Sequence, residues 1–507
     1  MPESTIPPGS QSLDAETCFR AYETRDARFD GRFFVAVRTT GIFCRPICPA
    51  RTPLRRNVEF HASAASAFES GFRPCLRCRP ERAPRAAGVD APGAVLVARA
   101  LDAIDGGALD EASLEALSAR IGVTARHLRR LFAAHLGASP SAVAQTRRLI
   151  FARQLIEETA LPMTQVAFAA GFASIRRFNA ALLAAYGAAP ATLRRPVPRE
   201  RSNRRAGNSA ASGTGHTVTL SLARLAEANF LALTGFYRAR AVAGAEIADG
   251  VRYARTIRIG ATSGTLTVRH EGGTVLLETA FPEAGKLPHI VARVKRMFDL
   301  TAPLAAIATH LATDKLLRPA LANGAPHVPC AWDPYELALR AVLGQQVSVA
   351  AATTLAGRLV RRFGAHFESE VAGLDRLFPA PAAVAALEVD DLTALGIVRA
   401  RAACIVGLAH HVAEDPHWRD RYTGLDTFVT RLTALPGIGP WTAQYVAMRG
   451  FGDPDAFPAA DLGLLRAARS LSLAQTPREL EARSERWRPW RAYAAQALWN
   501  YNTEDCA

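Results

Sequence analysis

At 507 residues, 49% of them hydrophobic and 21% charged, the chain is too long for a single core and too apolar for a disordered one, so roughly two to four domains are expected. Its formal net charge of +15 comes from arginine, since Lys286, Lys295 and Lys315 are the only lysines, and guanidinium forks in such excess point to a polyanion such as nucleic acid. No uninterrupted apolar run of about 18 residues occurs and no apolar core follows a basic N-terminal segment, so a membrane span and a secretory leader are not expected and the chain reads as cytoplasmic.

The first predicted domain holds the stretches GIFCRPICPAR (41–51) and FRPCLRC (72–78). In a reducing compartment clustered cysteines point to metal or redox chemistry, and Cys44-x3-Cys48-x26-Cys75-x2-Cys78 has the two-pair spacing that closes a tetrahedral zinc site. Arg45, Arg51, Arg73, Arg77 and Arg79 would surround that metal with phosphate-binding groups. A metal-held thiolate stays nucleophilic at neutral pH because the cation suppresses its protonation. A zinc ribbon with no chemistry is the competing reading. A Pro/Gly-rich join at 80–93 and a polar stretch at 194–216 read as linkers, with a weaker boundary near 317–330.

Between the linkers the chain carries a near-repeat. SLEALSARIGVTARHLRRLFAAHLGASPSA begins at Ser113 and MTQVAFAAGFASIRRFNAALLAAYGAAPAT at Met163. Each predicts a short helix, a turn at Gly122 or Gly171, and a longer helix ending at Gly before Pro, with small residues (Ala119; Ala169 or Ala170) that let the helices cross closely. Thr124 and Ser174 are suitable N-caps, which leaves Arg126, His127, Arg129, Arg176, Arg177 and Asn179 free to reach base edges and phosphates.

Near the C-terminus, LPGIGPWTAQYVAMRG (435–450) predicts a tight turn at Gly437 and Gly439 before a helix, whose outward N–H groups would seat a phosphate without reading sequence. Asp461 lies 22 residues beyond Gly439 at a predicted helix start, where it serves equally as an N-cap or as a catalytic carboxylate.

The cysteine-rich segment resembles the N-terminal zinc domain of the Ada family of DNA-alkylation sensors, and the helical repeat resembles the AraC-type DNA-binding domain. The hairpin and Asp461, with WDPYELALRAVLGQQVSVAAATTLAGRLVRRFG (332–364) and WRPWRAYAAQALWNY (487–501), resemble the helix-hairpin-helix DNA glycosylases, above all the AlkA-like 3-methyladenine glycosylases. The expected fold class is therefore multidomain and mainly α: a small zinc-binding α+β domain (14–80), a tandem helix-turn-helix domain (90–195), a linker (196–215), an α+β AlkA-type N-terminal domain (216–325) and an all-α helix-hairpin-helix glycosylase domain (326–507).

These resemblances imply one zinc held by Cys44, Cys48, Cys75 and Cys78, with Cys44 accepting a methyl group from a DNA phosphotriester, stoichiometrically and irreversibly. The thioether formed removes a negative charge from a DNA-facing surface and so tightens DNA binding, which would switch transcription. They imply Asp461 as the group that stabilises the oxocarbenium-like sugar and handles water, Trp441, Tyr445 and Trp499 as base-pocket walls, and Gln345, Gln346, Gly437, Gly439 and Arg45 as DNA contacts. A monovalent cation at the hairpin, alkylated and promoter DNA, RNA polymerase, a monomeric chain and a nucleoid location are further expectations.

Departures from the family patterns narrow the reading. No Pro-Cys-His-Arg motif occurs, and VPCAW at Cys330 lacks the activating pair, so methylguanine repair is not expected; Cys18, Cys330, Cys404 and Cys506 read as ordinary core or surface residues. Trp441 stands where bifunctional relatives have lysine, so strand cleavage is not expected, and Cys506 alone builds no iron-sulfur cluster. The wedge loop LGQQVS is polar where apolar wedges are commoner. LARLAEANF replaces an aromatic, proline-rich run in the α+β domain. The alternative from another class is a transcriptional regulator whose glycosylase half is a non-catalytic DNA-binding module.

Overall fold

The computed structural model describes residues 13–75, 77, 78, 80, 83, 93–194, 217–415, 418, 419 and 422–504; Arg79, Cys506 and most of both expected linkers lie outside these. The chain divides into two units. The first takes in the chain up to Ala223 with Ile259–Gly264 and Thr274–Arg293, and the second Arg224–Arg258, Thr265–Gly273 and the chain from Val294.

The first unit begins with α1 (Ala15–Glu23), started by Asp14, whose carboxylate accepts from the Thr17 N–H at 2.7 Å. Strands β1 (Phe34–Val37), β2 (Ile42–Cys44), β3 (Val58–His61) and β4 (Arg73–Pro74) make a sheet in the order β3-β1-β2-β4, and α2 (Ala64–Glu69) follows β3. Alternation in β1 splits its side chains between two cores. Val35 joins Tyr22, Phe33, Phe60 and the four clustered cysteines, while Phe34 and Ala36 join Phe43 and Ala67. A one-residue slip would exchange the two faces, so the register Val35↔Cys44 fixes where the end of β2 delivers its cysteine.

Among the described residues seven α-helices follow: α3 (Ala94–Asp105), α4 (Ala108–Glu111), α5 (Leu114–Ile121), α6 (Ala125–Leu136), α7 (Pro140–Glu158), α8 (Met163–Ala169) and α9 (Ile175–Tyr186). The caps form as expected: Thr124 Oγ1 accepts from the His127 N–H and Ser174 Oγ from the Arg177 N–H. Gly171 is required twice over. Its φ is +89°, and a Cβ there would stand 2.3 Å from the carboxylate of Asp110, which also takes Arg147 and, at 2.7 Å, Arg148 Nε. Asp110 thereby ties the helices before α5 to the long α7 and to the second turn.

Strands β5 (Thr217–Arg224), β6 (Glu246–Ala248), β7 (Arg252–Ile259), β8 (Thr262–Glu271) and β9 (Thr274–Ala280) form a sheet in the order β5-β9-β8-β7-β6. Helix α10 (Glu227–Arg238) follows β5, and α11 (Leu287–Met297) and α12 (Leu304–Leu311) follow β9.

The second unit continues through α13 (Pro334–Leu343), α14 (Val349–Phe363), α15 (Pro381–Ala385), α16 (Val389–Thr393), α17 (Arg399–Glu414), α18 (Leu425–Thr433), α19 (Pro440–Val446), α20 (Leu462–Ser470), α21 (Pro477–Ser484) and α22 (Arg491–Glu504). A buried ion network binds α13 to β6 and β7. Glu246 accepts from Tyr253 OH at 2.8 Å and Arg340 Nη1 at 3.0 Å, and Arg255 Nη2 donates to Glu336 at 2.7 Å. Burial pushes the Glu246 carboxyl up, yet Arg340 and Arg255 together hold it below its ordinary value. No helix of the described residues is long and apolar enough to cross a membrane.

Asp299, just after α11, adopts a left-handed φ of +51° and accepts from the Val328 N–H at 3.0 Å and from Tyr493 OH of α22 at 3.1 Å. Burial pushes its carboxyl up to about 7. Unfolded, the same group titrates near about 4, so between these values the native form keeps a proton that the unfolded chain has lost. The contribution to stability is complete below pH of about 4 and is lost as pH rises through 7. Asp299→Asn should accordingly leave stability near pH 4 almost unchanged and raise it at pH 8 by up to about 4 kcal/mol, read as a flatter dependence of melting temperature on pH.

Candidate active site and metal centre

The turn between α18 and α19 has the strained geometry its sequence predicts. Gly437 sits at φ +85°, and a Cβ on it would lie 2.9 Å from the Cys404 side chain, so both conformation and packing demand glycine there. Gly439 faces open space and opens α19 in an extended conformation. Gln345, at the end of α13, donates its amide to the Gly437 carbonyl at 3.0 Å and to Thr442 Oγ1 at 3.2 Å. Gln345 thereby braces the hairpin through its amide N–H2, while Gln346 at φ +56° is the exposed tip.

Asp461 is both the N-cap of α20 and the centre of the cleft. Its Oδ1 accepts from the Gly463 N–H at 2.9 Å, the Leu464 N–H at 3.1 Å and Trp499 Nε1 at 2.9 Å. Its Oδ2 accepts from Trp441 Nε1 at 3.0 Å. The capping role expected of Asp461 is present, and the capping bonds aim the carboxylate while the two indoles lock its plane. Charge-assisted bonds contribute about 1.5–3 kcal/mol each, well above the small rotamer entropy lost by one aspartate.

The expected aromatic walls assemble around it. Trp441 and Tyr445 stack with centroids 5.3 Å apart and planes 13° from parallel, and Tyr445 meets Trp499 edge-on at 6.5 Å. Helix α19 runs into a π-turn (Ala447–Phe451), and this turns Arg449 inward. Only 3% exposed, Arg449 places its guanidinium 4.9 Å over Trp499, 5.5 Å over Tyr445 and 4.5 Å over Phe236, and donates to the Pro329 carbonyl and Gln496. Arg240 lies 4.0 Å over Phe236, and burial, aided by Arg449, brings its guanidinium below its ordinary value.

Phe236, Arg240 and Arg449 all line the cleft and none was marked by sequence. Arg240 lies just past the end of α10 and Arg449 in the π-turn after α19, so helical spacing offers no signal for them. Part of the aromatic surface expected to attract an electron-poor base is thus already in contact with the protein's own cations.

In the first unit the four sulfurs of Cys44, Cys48, Cys75 and Cys78 all lie within 4.8 Å of one another, and those of Cys48 and Cys75 are 3.9 Å apart. A tetrahedron of thiolates around zinc has edges of about 3.8 Å, so the donor set fits that ion in number, chemistry and spacing. Tyr22 walls the cluster, and burial first, then the neighbouring sulfurs, push its phenol up. The Arg45 backbone N–H approaches the cluster and donates to the Cys78 sulfur at 3.3 Å.

The Arg45 guanidinium is turned inward onto Asp30 and donates to the Cys78 carbonyl at 3.2 Å, with only 14% of the side chain exposed. An unpaired Asp30, itself buried, would cost more than a surface contact returns, so Arg45 supports the cysteine loop while Arg51, Arg73 and Arg77 stay exposed. Arg126, Arg129, Arg176, Arg177 and Asn179 are exposed on the second helices of the two turns; Arg129 pairs with Glu115 at 3.4 Å, and His127 Nδ1 lies 3.1 Å from Arg130.

Family models match almost the whole of this architecture. The metal binding domain of Ada matches residues 17–81, a helix-turn-helix domain 117–196, the AlkA N-terminal domain 219–333, and the HhH-GPD superfamily of base excision DNA repair proteins 339–492. The chain is 42% identical over 490 residues, 96% of each chain, to a Mycobacterium tuberculosis protein named "Probable bifunctional transcriptional activator/DNA repair enzyme AlkA". It is 30% identical to Escherichia coli DNA-3-methyladenine glycosylase 2 over 53% of this chain and 92% of that one. It is 44% identical to the E. coli bifunctional transcriptional activator/DNA repair enzyme Ada over 27% of this chain and 36% of that one. With the zinc-binding, helix-turn-helix and base-excision domains present in one polypeptide, the chain belongs to the family of bifunctional transcriptional activator/DNA repair enzymes of the AlkA type.

Proposed function

We propose that this protein hydrolyses the N-glycosidic bond of alkylated bases such as 3-methyladenine in DNA, that it accepts methyl groups from DNA phosphotriesters on Cys44, and that its helix-turn-helix domain regulates transcription. The reading assigns these tasks to residues 216–507, 14–80 and 90–195, with 196–215 as linker. The observation that carries it is the Asp461 carboxylate, fixed by four N–H donors at the centre of an aromatic cleft beside the hairpin.

Extrusion of the damaged nucleotide would bring C1′ toward Asp461 while Trp441, Tyr445 and Trp499 receive the base. As the C1′–N bond breaks, its electron pair leaves with the base and positive charge develops on the sugar. Asp461 opposes that charge at once because its donors leave it nothing to reorganise, and it then orients the water that adds to C1′. Gly437, Gly439 and the loop tip at Gln346 hold the flanking phosphates and the gap. Trp441 supplies no amine for a Schiff base, so the enzyme is monofunctional.

In the zinc domain Cys44, Cys48, Cys75 and Cys78 hold the metal, whose charge keeps the sulfurs ionised when bound. Cys44 Sγ attacks the methyl carbon in line; the S–C bond forms, the methyl C–O bond breaks, and the phosphate leaves as an ordinary diester. Arg126, His127, Arg129, Arg176, Arg177 and Asn179 read promoter DNA. A monovalent cation at the hairpin, RNA polymerase as partner of the promoter-bound form, a monomeric chain and a nucleoid location complete the reading.

Incubating purified protein with methylated duplex should yield free 3-methyladenine and a single methyl mass gain on the Cys44 peptide. Absence of base release would overturn the enzyme assignment, and absence of the mass gain would reduce the cysteine cluster to a scaffold. Asp461→Asn should lower single-turnover base release by about a thousand-fold while duplex binding persists. Trp441→Phe, which removes one donor to the carboxylate and keeps an aromatic wall, should cost about ten-fold in the same rate.

A further inference from the structure

Leu462 is 78% exposed, more than any other large hydrophobic residue among the described residues, and it lies in the cleft one position after Asp461. Helix α20 does not need it for packing, because Leu464, Leu465, Ala467 and Ala468 already form the buried face. The first position of a helix ordinarily takes Pro or an acidic residue, so an exposed leucine there has no local reason.

Two observations give it one. Asp461 can act only with its carboxylate close to C1′, and Leu462, one Cα step of about 3.8 Å away, lines the same cleft. Of the loop that lines the same cleft, Gln345 is tied to the hairpin, the tip is the polar Gln346, and the exposed apolar side chain, Val349, is 44% exposed against 78% for Leu462. Excluding water from a forming sugar cation requires an apolar cover.

We infer that Leu462 is a DNA-contact residue: its side chain closes over the deoxyribose of the extruded nucleotide, holds that nucleotide out of the helix and keeps bulk water from C1′. The inference rests on the glycosylase reading of Asp461 for its catalytic consequence. It makes Leu462 a positioning residue, acting on where the sugar sits.

The test uses the full chain and its Leu462→Ala, Leu462→Asn and Leu462→Met variants. Binding is measured to a duplex with a stable abasic-site analogue, and single-turnover release of 3-methyladenine is followed on methylated duplex. Melting temperatures check that each variant folds as wild type. Expected are roughly ten-fold losses in both abasic-duplex affinity and release rate for Ala and Asn, and near-complete rescue by Met, with melting temperature unchanged. Asn matches Leu in size, so its failure beside the success of Met marks an apolar contact. Wild-type affinity and rate in the Ala and Asn variants would overturn the inference, as would losses that follow melting temperature. If wild type binds the abasic duplex but releases no base, the glycosylase reading fails while the affinity series still judges the contact.

Discussion

Everything in the second unit converges on one carboxylate. Asp461 starts α20, yet the groups that aim it come from α19 through Trp441 and from α22 through Trp499, segments separated by almost sixty positions of chain. Because a carboxylate only accepts, each donor removes one direction in which it could turn, and four leave it a single orientation. The fold is thereby committed to a geometry before any DNA arrives. The Asp299 link from the end of α11 to Tyr493 seats the same helix that carries Trp499.

Around that anion the cleft carries two guanidiniums against its aromatic rings. A cation over a ring contributes about 0.5–2 kcal/mol, and burial makes it costly to leave such a group unpaired, so Arg449 is held also by the Pro329 carbonyl and Gln496. The result is a cleft whose aromatic faces are partly engaged by the protein's own cations. The Glu246–Arg255–Glu336–Arg340 network does comparable work further back, fixing α13 and through it the loop that braces the hairpin.

The cysteine centre follows the same principle with different chemistry. The Arg45 N–H donates to the Cys78 sulfur, and its guanidinium stabilises the loop by satisfying Asp30. In both places the fold holds a polar centre through what its neighbours are already bonded to. The two differ in consequence, because a carboxylate that stabilises passing charge is regenerated whereas a sulfur that takes a methyl group is consumed.

Sequence alone determined whatever depends on neighbours along the chain: the paired cysteine spacing, the two capped helix-turn-helix copies with Gly122 and Gly171 at positive φ, and the hairpin glycines followed by an aspartate at a helix start. These are legible because spacing, capping and left-handed backbone are local requirements written in a few adjacent residues. The tertiary structure decided which side chains remain available. It turned Arg45 inward, tied Gln345 to the Gly437 carbonyl, brought Phe236, Arg240 and Arg449 into the cleft and left Leu462 bare at its edge. No local pattern encodes those outcomes, since each depends on a partner distant in sequence and on whether burial leaves a polar group satisfied.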